Sequence, residues 1–237
     1  VTDLETSKRR LGEILKPTAG KQRTEVAGFF SFLKYSNIPG YKSKHDPVPT
    51  EWETVYLISP FNCYQNTVAS SCYNQSFHCQ APIVPLKQPL PKNCQKLDEK
   101  TYLLIRMADY DAATPLYEFM PKHWGDTLRG TIPLLWGINP NLVETYPDII
   151  EYLYSTQSMN DYFGADASAA GYMNPNRIDK KYLPLFVDHN QKFYKQLDMT
   201  LSPMVLDWDE PSADVTVAFN KFSPDGFATI VMDMHNT

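Results

Sequence analysis

The chain has 237 residues, enough for one large domain that buries roughly 70% of its unfolded surface on folding. Hydrophobic residues make up 43% and charged residues 21%, as in an average folded protein, and no apolar run approaches the roughly 18 residues of a membrane-spanning helix, so neither a disordered chain nor a membrane span is predicted. The net charge of −5, without a basic stripe, argues against a nucleic-acid partner.

The first part of the chain predicts one helix and two strands. Apolar residues recur at helical spacing over 4–15, which predicts a surface helix. Continuous apolar runs, typical of parallel strands covered on both faces, predict strands over 26–33 and 54–64. The Cys- and Pro-rich segment 63–94 is predicted to be an irregular loop insertion, because its prolines disfavour a helix.

Four cysteines lie in this insertion, at Cys63, Cys72, Cys79 and Cys94. Their clustering predicts two local disulfides that staple the loop, and hence a secreted or extracytoplasmic protein. A zinc site that includes His78 is the alternative, but the spacing lacks the CxxC knuckle that binds zinc. The chain begins with Val1 and shows no signal peptide, so we interpret it as a processed or excised part of a longer protein.

The second part of the chain alternates strands and helices. Strands are predicted over 101–108, 131–138, 202–207 and 227–233, and helices over 115–124, 142–153, 182–197 and 213–222. This alternation is typical of a parallel sheet with right-handed crossovers. The sequence therefore predicts an α/β fold: a single parallel (β/α) barrel-like domain over 1–237, incomplete or irregular, with a disulfide-stapled loop insertion.

Three of the predicted strands end in acidic residues. Asp109 and Asp111 follow the first, Asp207 and Asp209 follow another, and Asp233 ends the last. Because the carboxyl ends of parallel strands converge on the rim where ligands bind, these carboxylates are candidate site residues. Asp109 and Asp111 are expected to point the same way, as alternate residues of an extended chain do. The alternative is that each Asp only caps a turn.

The run that begins at Asp109 carries a series of motifs. They are Asp-x-Asp after a strand, Trp124, Arg129-Gly130 with Pro133, Trp136, the turn Asn139-Pro140-Asn141-Leu142, Asn160-Asp161, and Gly171-Tyr172-x-x-Pro175. In order and spacing they resemble the core of the GxGYxYP putative glycoside hydrolase family, over about 42–176 of this chain. Ala169 and Asn174 depart from the naming motif, at its first Gly and its second aromatic position.

The resemblance implies an oligo- or polysaccharide ligand and a glycoside-hydrolase-like barrel. Cleavage of a glycosidic bond needs two carboxyl groups about 5 to 9.5 Å apart, one as the acid and one as the nucleophile or base. Asp109 and Asp111 share one short segment, so we expect one of them to work with Asp207 of another strand end. Further candidates for the second carboxylate are Asp209, Glu51 and Glu53.

Substrate contacts are expected from a loop of small residues and from aromatic side chains. The loop 162–175 lets the backbone approach a ligand, and two tryptophans at strand ends offer stacking faces. The alternatives are a flexible loop without a ligand and tryptophans that fill the core. The expected substrate-binding residues are Trp136, Asn160, Asp161, Ser168, Gly171, Tyr172 and Trp208. No metal and no cofactor is expected.

Two other functions remain open. A metal-dependent polysaccharide deacetylase also uses a strand-end Asp in a barrel, but it needs two histidines on the metal, and the five histidines here are scattered singly. A noncatalytic carbohydrate-binding domain would keep the barrel and its aromatic rim. The sequence does not favour a serine hydrolase, an NTPase or a dehydrogenase, because their GxSxG, phosphate-loop and dinucleotide motifs do not occur in it.

Overall fold

The computed structural model describes residues 4–27, 52–66, 73–89, 98–166, 168–206 and 210–230. Within them β-strands and α-helices follow one another along the chain. The strands are β1 (Thr24–Ala27), β2 (Cys63–Asn66), β3 (Arg106–Tyr110), β4 (Leu134–Ile138), β5 (Asp161–Ala165), β6 (Leu201–Leu206) and β7 (Gly226–Ile230). The helices are α1 (Leu4–Leu15), α2 (Trp52–Ile58), α3 (Gln75–His78), α4 (Ala113–Glu118), α5 (Met120–Trp124), α6 (Leu142–Thr145), α7 (Pro147–Ser155), α8 (Leu183–Leu197) and α9 (Ala213–Phe219).

The strands form three parallel sheets, β1–β2, β3–β4–β5 and β6–β7. This confirms the predicted α/β class with parallel strands. The predicted barrel is not confirmed, because the described strands do not close into one ring. One reason lies at β2, where Gln65 exchanges two backbone hydrogen bonds of 2.7 and 2.9 Å with Tyr172. The chain that follows β5 therefore occupies the edge of β2 on which a further parallel strand would pair.

The predicted strand over 54–64 is wrong for most of its length. The structure has helix α2, a 3₁₀ turn over Ser59–Phe61, and only then strand β2. Val55 and Ile58 lie three positions apart and are both buried, so one helical face packs into the protein. Burial of this face outweighs the preference of β-branched residues for strands.

The predicted strand over 101–108 is displaced toward the carboxyl end. Strand β3 starts at Arg106, and the preceding apolar residues are not buried: Leu103 is 83% exposed and Leu104 69% exposed. Strand β4 begins at Leu134, and the N–H of its second residue, Leu135, donates to the Ile105 carbonyl at 3.0 Å. The apolar run thus has a neighbouring strand only at its end.

The main core lies between the β3–β4–β5 sheet and the helices that cover it. Trp124 and Tyr154 stack on Phe163 with ring centroids 5.8 and 4.4 Å apart, and Trp136 packs edge-on against Trp124 at 5.1 Å. The predicted helical face over 142–153 is confirmed, and Pro147 opens its second part as α7. Each large apolar side chain in such a core contributes about 1.5–3 kcal/mol relative to exposure.

The two predicted disulfides are not confirmed. Cys63 and Cys79 carry free thiols, while Cys72 and Cys94 lie outside the described residues. Cys63 belongs to strand β2 and packs with Leu15 and Ile58 in a small apolar cluster, so it is a core residue rather than a loop staple. Burial raises the pKa of its thiol to about 11, which favours the unreactive protonated form.

No helix in the described part of the chain is both long enough and apolar enough to cross a membrane.

Candidate functional site

The carboxyl edge of the β3–β4–β5 sheet gathers polar side chains. Asp111, Asn139 and Asp166 each follow directly on one of the three strands, and all three are buried. Carboxyl ends of adjacent parallel strands meet at one edge, which is where α/β proteins bind ligands. Two of the predicted residues, Asp109 and Asp111, therefore lie at this edge.

Asp109 has an unusual backbone conformation. Its φ of 72° lies in the left-handed region, which costs a residue with a side chain roughly 1–2 kcal/mol. The Asp109 N–H donates to Asp166 Oδ2 at 2.7 Å, and this bond holds the turn. The Asp166 carboxylate has room because β4 carries Gly137, where an added Cβ would come within 2.8 Å of Asp166 Oδ2. A fully buried carboxylate thus fixes the backbone of Asp109, whose own side chain is exposed.

Asp111 has a different environment from Asp109. It is buried, and its carboxylate accepts a hydrogen bond from the Tyr172 hydroxyl. The expectation that the two carboxylates point the same way does not hold, because the pairing of β3 with β4 shifts between Met107 and Tyr110 and Asp109 leaves the extended conformation. The edge therefore presents one exposed carboxylate and keeps the other inside.

Buried hydrogen bonds and close packing position the described residues of the loop after β5. Asn139 Oδ1 accepts the Gly171 N–H at 3.2 Å and the Asn141 N–H at 3.0 Å. Gly171 has a φ of 96°, and a Cβ there would lie 2.2 Å from the ring of Tyr64, so only glycine fits. Ser168 is fully buried and also has a positive φ. The loop places Tyr172 beside Asp111, and the substrate contacts predicted for it stay predictions.

Three predicted substrate-binding residues lie away from this edge. Asp161 is the first residue of β5, at the amino end of the sheet, and it is fully buried. Its carboxylate pairs with Arg129 and accepts from Trp136 Nε1 at 2.9 Å. Asn160 Nδ2 donates to the Gly130 carbonyl at 2.8 Å. These contacts give Trp136, Asn160 and Asp161 structural partners, and the structure does not bring them together with Asp109.

Asp207 and Trp208 lie outside the described residues, as do Asp209, Asp233 and Glu51.

Asp166 is the residue of this edge that the sequence analysis misses. Strand β5 reads Asp-Tyr-Phe-Gly-Ala and has no continuous apolar run, so its end is not apparent from the sequence. Position 164 requires glycine because β6 passes close by: a Cβ there would lie 2.9 Å from Pro203 and 3.1 Å from the Leu201 carbonyl. Asp166 directly follows the short segment Tyr-Phe-Gly-Ala. The rule that identifies Asp109, an acidic residue at the end of a strand, could have found Asp166 if this segment had been predicted as a strand.

Helix α8 supports the loop through two neighbouring side chains. Asn190 Oδ1 accepts the Ala170 N–H at 2.9 Å, and His189 Nε2 donates to the Ala170 carbonyl at 3.1 Å. Burial, with a further contribution from the positive charge of Arg23, lowers the pKa of His189 to about 3. The imidazole is therefore neutral at physiological pH.

We expect the protein to lose stability as the pH falls below 6.5, the ordinary pKa of His189. The unfolded chain binds a proton there that the folded chain does not bind until about pH 3, so the free energy of unfolding falls by about 2 kcal/mol between pH 6.5 and 5. His189→Gln keeps a donor for the Ala170 carbonyl and should flatten this dependence. Urea unfolding across this pH range is the measurement, with His123→Gln as the matched control. An unchanged slope in His189→Gln would contradict the assignment.

Among the described residues, no group of three or more His, Cys, Asp or Glu side chains could hold a metal ion.

Comparison with known proteins places the chain in a family. Residues 99–233, more than half of the chain, match the model of the GxGYxYP putative glycoside hydrolase C-terminal domain. The fold is similar to the crystal structure of a putative hydrolase from Bacteroides thetaiotaomicron VPI-5482, with a TM-score of 0.67 and 16% sequence identity. The similarity covers 97% of this chain but 42% of that one, so this chain spans less than half of its length. A search of curated proteins finds no significant match. The chain belongs to the GxGYxYP putative glycoside hydrolase family.

Proposed function

We propose that the carboxyl edge of β3, β4 and β5 is a glycoside-hydrolase-type site in which Asp109 is one of two working carboxylates. The observation that carries the proposal is the conformation of Asp109, whose left-handed backbone is held by the buried Asp166 while its side chain stays exposed. Backbone strain of this kind persists only where the surroundings enforce it, and it clusters at functional sites. Membership of the family supports a carbohydrate as the substrate.

Asp109 acts directly on the sugar in this proposal. A carboxylate beside the anomeric carbon stabilises the oxocarbenium-like transition state, as the nucleophile or as the base of a water molecule, while a second carboxyl group protonates the leaving oxygen. We assign the second group to Asp207, which follows β6 in the sequence. The support for this choice is that β6 contacts β5, the strand that Asp166 directly follows.

Asp111 and Asp166 have positioning roles in the proposal. Asp166 fixes the backbone of Asp109, and Asp111 accepts the hydroxyl of Tyr172, so neither needs to contact the substrate. Their carboxylates also contribute negative potential at the edge. Fixed negative charge favours the positive charge that develops on the sugar in the transition state.

A panel of oligo- and polysaccharides tests the proposal. We expect at least one glycan to yield new reducing ends when it is incubated with the purified protein. Acetate release is measured in parallel, with and without a chelator, because metal-dependent acetate release without new reducing ends would identify a deacetylase instead. Binding of a glycan with neither product would identify a noncatalytic binding domain and overturn the proposed hydrolysis.

A further inference from the structure

A polar cavity lies between the segment just before β1 and helix α8, at residues that the proposed hydrolysis does not use. Its volume is about 330 Å³, and it is lined by Lys21, Gln22, Arg23, Leu185 and His189. Two of these residues are cations, and none is a carboxylate. The cavity therefore has the electrostatic character of a site for an anion.

The side chain of Arg23 is the unusual feature of this cavity. Arg23 is only 8% exposed, and within the described part of the chain neither its Nε nor its Nη1 has a hydrogen-bond partner. Among the residues that the structure describes, its single hydrogen-bond acceptor is the weak acceptor Met173 Sδ, 3.2 Å from Nη2. Burial lowers the pKa of the guanidinium to about 10, so the group still carries its charge at neutral pH. Among the described residues, no carboxylate pairs with this buried cation.

Two aromatic rings keep the guanidinium in place. Arg23 Cζ lies 5.4 Å from the centre of the Tyr64 ring and 5.1 Å from that of Phe186. Cation–π contacts of this kind are worth about 0.5–2 kcal/mol each, less than the several kcal/mol that an isolated buried charge costs. The nearest acid along the chain, Glu25, accepts the hydroxyl of Tyr64 instead. The rings orient the cation but do not neutralise it.

We propose that the cavity at Arg23 binds a carboxylate group of a ligand. A carboxylate is planar, accepts several N–H bonds and is the natural partner of a guanidinium, and Lys21 at the mouth of the cavity adds a second positive charge. Under the proposed function the ligand is a sugar acid. The identity as a sugar rests on the proposed function, whereas the carboxylate site does not.

Thermal unfolding with galacturonate tests the proposal. We expect galacturonate to raise the melting temperature by about 3 °C when its concentration is about tenfold above its dissociation constant. Equal concentrations of galactose and of phosphate serve as the neutral and the inorganic comparison and should have little effect. A shift with galactose equal to that with galacturonate, or a shift with phosphate alone, would overturn the proposal.

Substitution of Arg23 by Met separates a ligand site from a structural cation. Because Met removes an uncompensated buried charge and keeps an unbranched apolar chain, Arg23→Met should melt at or above the wild-type temperature and should lose the response to galacturonate. The matched control is Arg177→Met, since Arg177 also lies over a tyrosine ring, 4.1 Å from the centre of Tyr56, but is exposed. The control should respond like the wild type.

Two further variants keep the test decisive. Lys21→Met changes an exposed side chain at the cavity, so it should fold normally and bind galacturonate several-fold more weakly. Asp109→Asn should retain the full shift, so a failure of the hydrolase proposal leaves the carboxylate site intact. An equal shift in wild type, Arg23→Met and Lys21→Met would show that galacturonate acts elsewhere and would sink the inference.

Discussion

Replacement of Asp109 by Asn is expected to abolish turnover of the glycan substrate while the fold stays intact. A carboxylate that acts as nucleophile or base contributes at least about 10²–10⁴-fold to the rate, and the neutral amide can do neither. Asn adopts the left-handed conformation with φ near 72° at least as readily as Asp, so the backbone N–H can still bond to Asp166. We therefore expect a change in melting temperature of no more than about 2 °C.

The control for Asp109→Asn is Asp188→Asn, the same change at an exposed position of helix α8. It should leave both turnover and melting temperature unchanged. Initial rates on the best glycan of the panel, together with thermal melts of the same samples, decide the outcome. Wild-type turnover in a correctly folded Asp109→Asn would remove Asp109 from the site and leave its left-handed turn as a purely structural feature.

The helices of the second part of the chain are the elements that the sequence predicts best. Helix α8 is predicted over 182–197 and observed over Leu183–Leu197, and α7 begins at Pro147 as expected. Both carry a wide apolar face, and such a face has only one stable orientation against a sheet. The apolar spacing within the helix is sufficient for the prediction, because it needs no knowledge of the neighbouring elements.

Strands are predicted less well, since an apolar run does not reveal where a neighbouring strand begins. The run before Arg106 is apolar, yet only its last residue has a partner on β4. The opposite case is β5. Because β6 approaches closely, only a small residue fits at Gly164, and the strand lacks a continuous apolar run. In both places the neighbouring strands determine where a strand lies and which residues it can contain. Local periodicity does not encode these neighbours.

The candidate site is predicted in part for the same reason. The strand-end rule finds Asp109 and Asp111 because β3 has an apolar run in front of them, and it misses Asp166 because β5 has none. The sequence also cannot show that Asp109 leaves the extended conformation, which gives the two carboxylates of the Asp-x-Asp motif different exposures. Residue types are therefore predictable here, while their division into exposed and buried groups is not.

Replacement of Asp161 by Asn is expected to destabilise the protein severely rather than to weaken substrate binding. The Asp161 carboxylate is fully buried and forms an ion pair with Arg129. It also accepts hydrogen bonds from the indole N–H of Trp136 and from the N–H of Ser158, the latter at 2.7 Å. The amide keeps the shape but leaves the guanidinium of Arg129, whose side chain is 18% exposed, without a counter-charge. Breaking a buried pair from one side costs about 3–5 kcal/mol, or a drop of about 10 °C in melting temperature.

A surface pair gives the comparison for Asp161→Asn. Lys192 Nζ lies 2.6 Å from Glu144 Oε1, but the two side chains are 67% and 39% exposed, so Glu144→Gln should cost less than about 1 kcal/mol. The double variant Arg129→Met with Asp161→Asn removes both charges and should recover part of the loss, because no unpaired charge is left inside. If Asp161→Asn melts like the wild type but has a raised KM, Asp161 contacts substrate after all, and the carboxyl edge of β3 to β5 is then not the only part of the sheet that binds the glycan.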